Sequence, residues 1–244
     1  MKTDEAVDPK AFWEGKILSW EQGRYETLHV DKNRLERFAN RASESLRFRQ
    51  RVAGKILAKQ VAGKRVLELG CGSGLLAQRL LSAGAHSYIG IDFSERAIEN
   101  ARSRADEAGI SDRVQFEAKS IKEMSEMQSD VVFSLGLLDW LSDDELDHIF
   151  KITAGTDYLH AISEKRASMA NWIHRAYVQL AYGRQTGSYR PRYFSVADIE
   201  EIARRHTNKS VRAFRERRLS FGTLVTILDF DPKVAVNEPP TAVR

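Results

Sequence analysis

The chain has 244 residues, which is enough for one large domain whose core needs no disulfide bonds. The net charge of +4, from 38 basic and 34 acidic residues, is too small to point to nucleic acid as a partner. Because the chain has a single cysteine, Cys71, a polar amino terminus and only short apolar runs, we expect a cytoplasmic protein without disulfides, signal peptide or membrane span.

Residues 1–62 are predicted to form a helical cap on the rest of the chain. Trp13, Trp20 and Tyr25 are too many large aromatic side chains for a solvated leader, so this stretch should pack against a surface. From Arg34 to Ala62, apolar residues recur at helical spacing, which indicates two helices.

From residue 65 onward, short apolar runs alternate with amphipathic helices, which is typical of a doubly wound α/β fold. Five of these runs are predicted to be parallel strands: 66–69, 88–91, 114–116, 131–135 and 158–162. The ends of the helices are marked by Gly84, Ser94 and Gly109 and by two capping boxes, Ser142 with Glu145 and Ser195 with Asp198.

Two further runs, 211–214 and 224–230, are separated by too few residues for a parallel crossover, so they should pair antiparallel. The prediction is therefore a seven-stranded, mostly parallel sheet with an antiparallel last strand, formed by residues 63–232. Within it, residues 164–194 are an insertion after the fifth strand. Residues 233–244 are predicted to be a flexible tail.

A glycine-rich turn, Gly70 to Gly74, follows the first strand directly and leads into a helix. Glycines permit such a turn and let a ligand approach the backbone N–H groups at the start of the helix. Asp92 stands at the tip of the next strand, about 20 residues further on, where a carboxylate can bind two ribose hydroxyls. Together these features predict a ligand that contains adenosine.

Two details separate this turn from a dinucleotide-binding fingerprint. Leu75 stands where the third glycine of that fingerprint would fall. Glu68, at the end of the strand, would repel a pyrophosphate but attract an ammonium group. The residues therefore favour a ligand with a methionine moiety.

The runs 66–74 and 89–94 resemble the first two motifs of class I S-adenosylmethionine-dependent methyltransferases, and 130–138 is similar to the fourth-strand motif of that family. The resemblance covers roughly residues 53–230, and it implies S-adenosylmethionine as the cofactor and an enzyme that transfers methyl groups. The cofactor-binding residues that it implies are Glu68, Gly70, Cys71, Gly72 and Gly74 at the amino acid part, Asp92 at the ribose, Phe93 at the adenine, and Ser134, Leu135 and Gly136 at the methionine and reaction centre.

One position departs from the family pattern. After the third strand the family usually carries an acidic residue that contacts the adenine amino group, whereas this chain has Ser120. The hydroxyl of Ser120 can accept the same hydrogen bond, and Ile121 can add apolar contact.

The methyl acceptor is weakly marked, because the cofactor carries its own activation and the protein mainly aligns the acceptor. The fourth-strand region lacks the proline motif of exocyclic-amine methyltransferases, which argues against nucleobase amines. The candidate catalytic residues are Asp139, His160 and Tyr193, and the candidate substrate-binding residues are Trp140, Tyr189, Arg192 and Tyr193. Each has a packing or surface role as its alternative.

The leading interpretation is methyl transfer to a small molecule, most readily at oxygen, in a layout similar to the magnesium-protoporphyrin O-methyltransferase group. An RNA-modifying methyltransferase and a non-catalytic cofactor-binding protein are the alternatives. Nucleic acid is disfavoured as a partner, no metal is expected, and the oligomeric state is left open. Residues 12–48 form either a lid, with Tyr25 or a nearby arginine reaching the cofactor carboxylate, or a helix packed permanently on the core.

Overall fold

The computed structural model describes residues 8–21, 34–165, 191–219 and 222–233. Its strands are β1 (Arg65–Leu69), β2 (Ser87–Asp92), β3 (Val114–Ala118), β4 (Val131–Leu135), β5 (Asp157–Ser163), β6 (Arg212–Phe214) and β7 (Gly222–Thr226). Its helices are α1 (Pro9–Glu21), α2 (Arg34–Ala58), α3 (Ala77–Ser82), α4 (Glu95–Glu107), α5 (Asp143–Ile152) and α6 (Val196–Arg204).

The strands form one sheet in the order β3-β2-β1-β4-β5-β7-β6. Neighbouring strands from β3 to β5 pair in parallel, and β7 pairs antiparallel with both β5 and β6. The predicted seven-stranded sheet with an antiparallel last strand is thus confirmed. The strand order reverses between β1 and β4, and in open α/β sheets ligands bind in the crevice at such a point.

Apolar residues cover both faces of the sheet, because strands flanked by helices on both sides must be apolar in both directions. Along β1, Val66 points into a core layer shared with α2, α3 and α4, whereas Leu67 and Leu69 point into a layer shared with α5 and α6. This alternation holds the helices against the sheet and leaves the carboxyl ends of the strands for the site.

The predicted helix ends are confirmed where the structure describes them. The Ser94 side chain accepts a hydrogen bond from the N–H of Ala97, and the Ser142 and Ser195 boxes are formed. Gly84 and Gly109 adopt positive φ angles of 94° and 65°.

Two predicted boundaries were wrong. In place of two helices, α2 is one helix of 25 residues. The helix continues through Gly54 without a break. A Cβ at this position would lie 2.8 Å from Arg79 Nη1, so the glycine allows close packing against α3. The last strand ends at Thr226 rather than residue 230. There the Thr226 hydroxyl donates a hydrogen bond to the carbonyl of Tyr158 and accepts one from the N–H of Leu228.

Several predicted features lie outside the described residues, among them Tyr25, Tyr189, the side chain of Trp20 and the tail from residue 234. No helix within the described residues is long and apolar enough to cross a membrane.

Candidate active site

The glycine turn has the geometry that its sequence demands. Gly70, Gly72 and Gly74 have φ angles of 69°, 52° and 67°, a region that side chains oppose. At position 74 a Cβ would also lie 2.8 Å from Cζ of Phe116. The turn is therefore a tight backbone curve at the carboxyl end of β1.

Asp92 joins the end of β2 to this turn. Its Oδ2 accepts a hydrogen bond from the N–H of Gly72 at 2.9 Å, and its Oδ1 accepts one from the N–H of Ser94 at 3.0 Å. Burial raises the pKa of Asp92, and these backbone donors partly oppose the rise. Asp92, which the sequence predicts to bind a ribose, is thus held beside the turn by two backbone N–H groups.

Glu68 has a buried partner that sequence reasoning missed. The hydroxyl of Tyr88 donates a hydrogen bond to Glu68 Oε2, and both side chains are buried. Burial is the largest cause that raises the pKa of Glu68 to about 8; the Tyr88 hydrogen bond opposes this rise, and the negative charges of Glu21 and Asp92 add to it. The approach of a cation would lower this pKa, since opposite charge favours the ionised form.

Cys71 lies beneath the turn, with its Sγ 2.9 Å from the place a Cβ on Gly90 would take. Burial raises its pKa well above the ordinary value. A thiol that resists ionisation is a small apolar side chain rather than a nucleophile.

A second carboxylate reaches the turn from α1, and the sequence contained no signal for it. Glu21 Oε1 accepts a hydrogen bond from the N–H of Ser73 at 3.1 Å, although 52 residues separate the two. At its other end, α1 contacts the loop after β4, where the rings of Trp13 and Trp140 meet edge to face at 5.1 Å between centroids. The helix therefore passes across the carboxyl ends of β1 and β4.

Arg49 of α2 reaches the end of β4. Its Nη2 donates a hydrogen bond to the carbonyl of Leu135 at 2.9 Å, and a Cβ on Gly136 would lie 3.1 Å from the same nitrogen. The side chain is 9 % exposed, and its Nε has no hydrogen-bond partner among the described residues. In the sequence, Arg49 was one member of a basic run; the available signal was its place between the apolar positions of α2.

Asp139 anchors the loop after β4 to the end of β5. Its two oxygens accept hydrogen bonds from the N–H and the hydroxyl of Ser163, both at 2.8 Å. Burial raises the pKa of Asp139 to about 6 despite these donors. The carbonyl of Asp139 also accepts a hydrogen bond from the N–H of Arg192 at 2.6 Å, which draws residues 191–194 to this loop.

His160 and Ser134 face the interior of the fold. The His160 ring is fully buried beside Tyr158 and Phe150, and its Nδ1 lies 2.9 Å from the Ser134 hydroxyl. Burial lowers the pKa of His160 to about 3, so the imidazole is neutral at physiological pH. The structure does not bring these two side chains to the glycine turn.

The remaining predicted residues surround the exits of β2 and β3. Phe93 is half-buried next to Asp92, and the N–H of Lys119 donates to the carbonyl of Asp92 at 2.8 Å, which joins the two strand exits. Ser120 begins a short turn there, and its N–H donates to Glu123 Oε2, while Ile121 is 8 % exposed. Elsewhere, Tyr193 is half-buried on the segment near Asp139.

Residues 66–155 match the family model described as "Methyltransferase domain". Over these residues the chain is similar to methyltransferase domains. This matched range runs from β1 through α5 and includes the glycine turn, Asp92 and the loop after β4.

Curated relatives of the methyltransferase domain include ribosomal protein L11 methyltransferases. That of Shigella sonnei is 36% identical over 118 residues, which are 48% of this chain and 39% of the relative. An Escherichia coli counterpart is 35% identical over 117 residues, again 39% of its length. The chain thus spans less than half the length of these relatives.

Solved structures extend the likeness beyond the methyltransferase domain. Magnesium protoporphyrin IX methyltransferase from Synechocystis PCC 6803, with bound SAH, has a TM-score of 0.65 at 16% identity and covers 89% of this chain and 96% of its own. A Bordetella parapertussis protein described as a possible exported protein has a TM-score of 0.67 at 14% identity, over 86% of this chain and 77% of its own. At these identities the likeness establishes the fold.

Proposed function

We propose that the chain is an S-adenosylmethionine-dependent methyltransferase that acts on a small molecule, most readily at oxygen. The observation that carries the proposal is the contact between the glycine turn and Asp92, whose carboxylate accepts hydrogen bonds from the N–H groups of Gly72 and Ser94. Backbone donors and a buried acid at a strand-order reversal suit an adenosine ligand.

The residues around the turn fit the remaining parts of this cofactor. We assign the ribose to Asp92, the ammonium group to the neighbourhood of Glu68, and the carboxylate to the Arg49 guanidinium. Phe93 and Ile121 provide apolar surface for adenine, and Ser120 offers a hydroxyl to its amino group. When bound, the cofactor supplies a methyl group on a positively charged sulfur, so the chain need not activate it.

The role of the chain is then to hold the acceptor in line and to keep water away. Trp140 and Arg192 lie at the loop that Asp139 anchors, so they are our candidates for acceptor contacts. We assign Asp139 a positioning role, because both of its oxygens already accept hydrogen bonds from Ser163. Tyr193 remains a candidate for direct contact.

The acceptor class rests on two observations. Residues 134–140 carry no proline motif of amine methyltransferases, and the fold follows magnesium protoporphyrin IX methyltransferase over 89% of this chain. A protein acceptor is the second candidate, because the curated relatives with 36% identity are L11 methyltransferases.

A transfer experiment separates these candidates. The purified chain is incubated with S-adenosylmethionine labelled at the methyl group and, in separate reactions, with a protein-free metabolite extract, ribosomal proteins or RNA. Label in the metabolite fraction supports the proposal, and release of that label by mild base indicates an ester oxygen. Label in protein favours the second candidate. Label in RNA that falls steeply as salt rises would support the RNA alternative.

A further inference from the structure

The Glu21 carboxylate occupies the open side of the glycine turn. A Cβ on Gly72 would lie 2.0 Å from Glu21 Oε1, so this oxygen lies directly against the glycine. The same oxygen accepts a hydrogen bond from the N–H of Ser73 at 3.1 Å. Glu21 is 8 % exposed, which is unusual for a charged residue at the end of a helix.

The position of Glu21 follows from how α1 is held. Near its start, Lys10 forms an ion pair with Glu95 at 3.1 Å. One turn later, the two oxygens of Glu14 accept hydrogen bonds from the N–H groups of Glu95 and Arg96 at 3.0 and 2.9 Å. Because these contacts fix α1 on the first turn of α4, the last residue of α1 is directed onto Gly72.

The charges around Glu21 favour replacement of its contact with the glycine turn by a ligand. Burial and the negative charge of Asp92 oppose ionisation of the Glu21 carboxyl, whereas the hydrogen bond from the N–H of Ser73 favours it. A ligand that carries positive charge would be attracted by the same group of acids: Glu21, Glu68 and Asp92. Such a ligand needs the surface of Gly72 that Glu21 covers, so the two exclude each other there.

We propose that Glu21 is an internal competitor of the cofactor, a side chain of α1 that must leave the glycine turn before S-adenosylmethionine can bind. The inference rests on the proposed function. Only the fraction of molecules in which Glu21 has left the turn is competent, so the apparent Kd equals the intrinsic Kd divided by that fraction. The last turn of α1 thereby sets cofactor affinity without contributing to the chemistry.

Calorimetry with S-adenosylhomocysteine tests this on the full chain. Glu21→Ala should bind about tenfold more tightly than the wild type, since one charge-assisted hydrogen bond no longer has to be broken. Glu21→Gln, which keeps an acceptor of the same size, should fall between the two. Glu107→Ala removes the same charge from an exposed position in α4 and should leave the affinity unchanged.

A fluorescence measurement covers the case in which Glu21→Ala is less stable than the wild type. Because Trp13 contacts Trp140, release of α1 should change tryptophan fluorescence, and this change should accompany binding in the wild type but be largely absent in Glu21→Ala. Equal or weaker binding by Glu21→Ala, beside normal binding by the wild type, would overturn the inference and leave the proposed function intact. If neither protein binds the ligand, both are overturned.

Discussion

The Asp92 oxygens that we propose to bind a ribose already accept hydrogen bonds from the N–H groups of Gly72 and Ser94. We therefore expect Asp92→Ala to weaken binding of S-adenosylhomocysteine more than tenfold and to lower the unfolding free energy, since each hydrogen bond to a charged group contributes about 1.5 to 3 kcal/mol. Calorimetry and urea unfolding measure the two effects. Asp112→Ala, on an exposed turn, is the control, and unchanged affinity in Asp92→Ala would contradict the assignment of β2.

Asp139 predicts a dependence of stability on pH. Burial raises its pKa from an ordinary 3.8 to about 6, so the folded protein retains a proton that the unfolded chain has already released. The proton stabilises the fold fully below pH 3.8, and this contribution is lost as the pH rises through about 6. A pKa difference of this size corresponds to about 3 kcal/mol.

The measurement compares wild type with Asp139→Asn, an amide that can still accept from the N–H of Ser163 and donate to its hydroxyl. The unfolding free energy of each is measured in urea at several pH values between 4 and 7. The unfolding free energy of the wild type should fall relative to that of Asp139→Asn as the pH rises. A difference that stays flat would mean that Asp139 is ionised throughout.

Residues were predictable where a local pattern forces their role. The glycines of the turn and Asp92 belong to a strand, turn, helix and strand sequence, and the structure places them together. Glu21, Arg49 and Tyr88 were missed, because their partners lie far along the chain and no spacing rule links them. Single residues that depend on packing between distant helices leave no periodic signal.

The N-caps give an element-scale comparison. Ser94 is buried and caps α4 beside Asp92, whereas Ser142 is exposed and caps α5. Ser94→Ala and Ser142→Ala should each lower the unfolding free energy by about 1 kcal/mol. Only Ser94→Ala should also weaken S-adenosylhomocysteine binding several-fold, because it loosens the end of β2. Equal affinity in both variants would show that the cap does not position Asp92.

Elements were predictable from the alternation of apolar runs, and β4 was predicted to the residue. The errors came from features that depend on neighbouring elements. The apolar spacing did not show that α2 is continuous through Gly54, which packs against Arg79. The apolar run continues beyond β7 because Leu228 packs into the core. The periodicity of apolar residues indicates which side chains are buried. A buried side chain can lie outside the hydrogen-bonded part of a strand.

At the scale of the whole molecule, the fold follows from the sequence and the acceptor does not. Two apolar layers and a strand-order reversal determine where a ligand binds. The alternation of apolar runs and helices predicted the layered fold, whereas the strand order is seen only in the structure. The side chains that we propose to contact the acceptor come from the loop after β4 and from residues 191–194, and α1 packs against that loop. Such convergence depends on long-range contacts, for example that of Trp13 with Trp140.

Hydrogen exchange over the whole chain distinguishes a lid, a static helix and a competing helix. If Glu21 must leave the turn, residues 12–21 should exchange faster when S-adenosylhomocysteine binds. Residues 90–97 should exchange more slowly, because the ligand stabilises Asp92 and the start of α4. The second half of α2 should not change, since Val52 and Ile56 are buried in the core in both cases.

The Glu21→Ala variant is the matched control, and its residues 12–21 should exchange fast with or without ligand. Slower exchange of residues 12–21 in the bound wild type would instead describe a lid that closes over the cofactor. Equal exchange in both states would describe a helix that is packed permanently on α4 through Glu14. Since the three arrangements change protection of α1 in opposite directions or not at all, one comparison of bound and free protein decides among them.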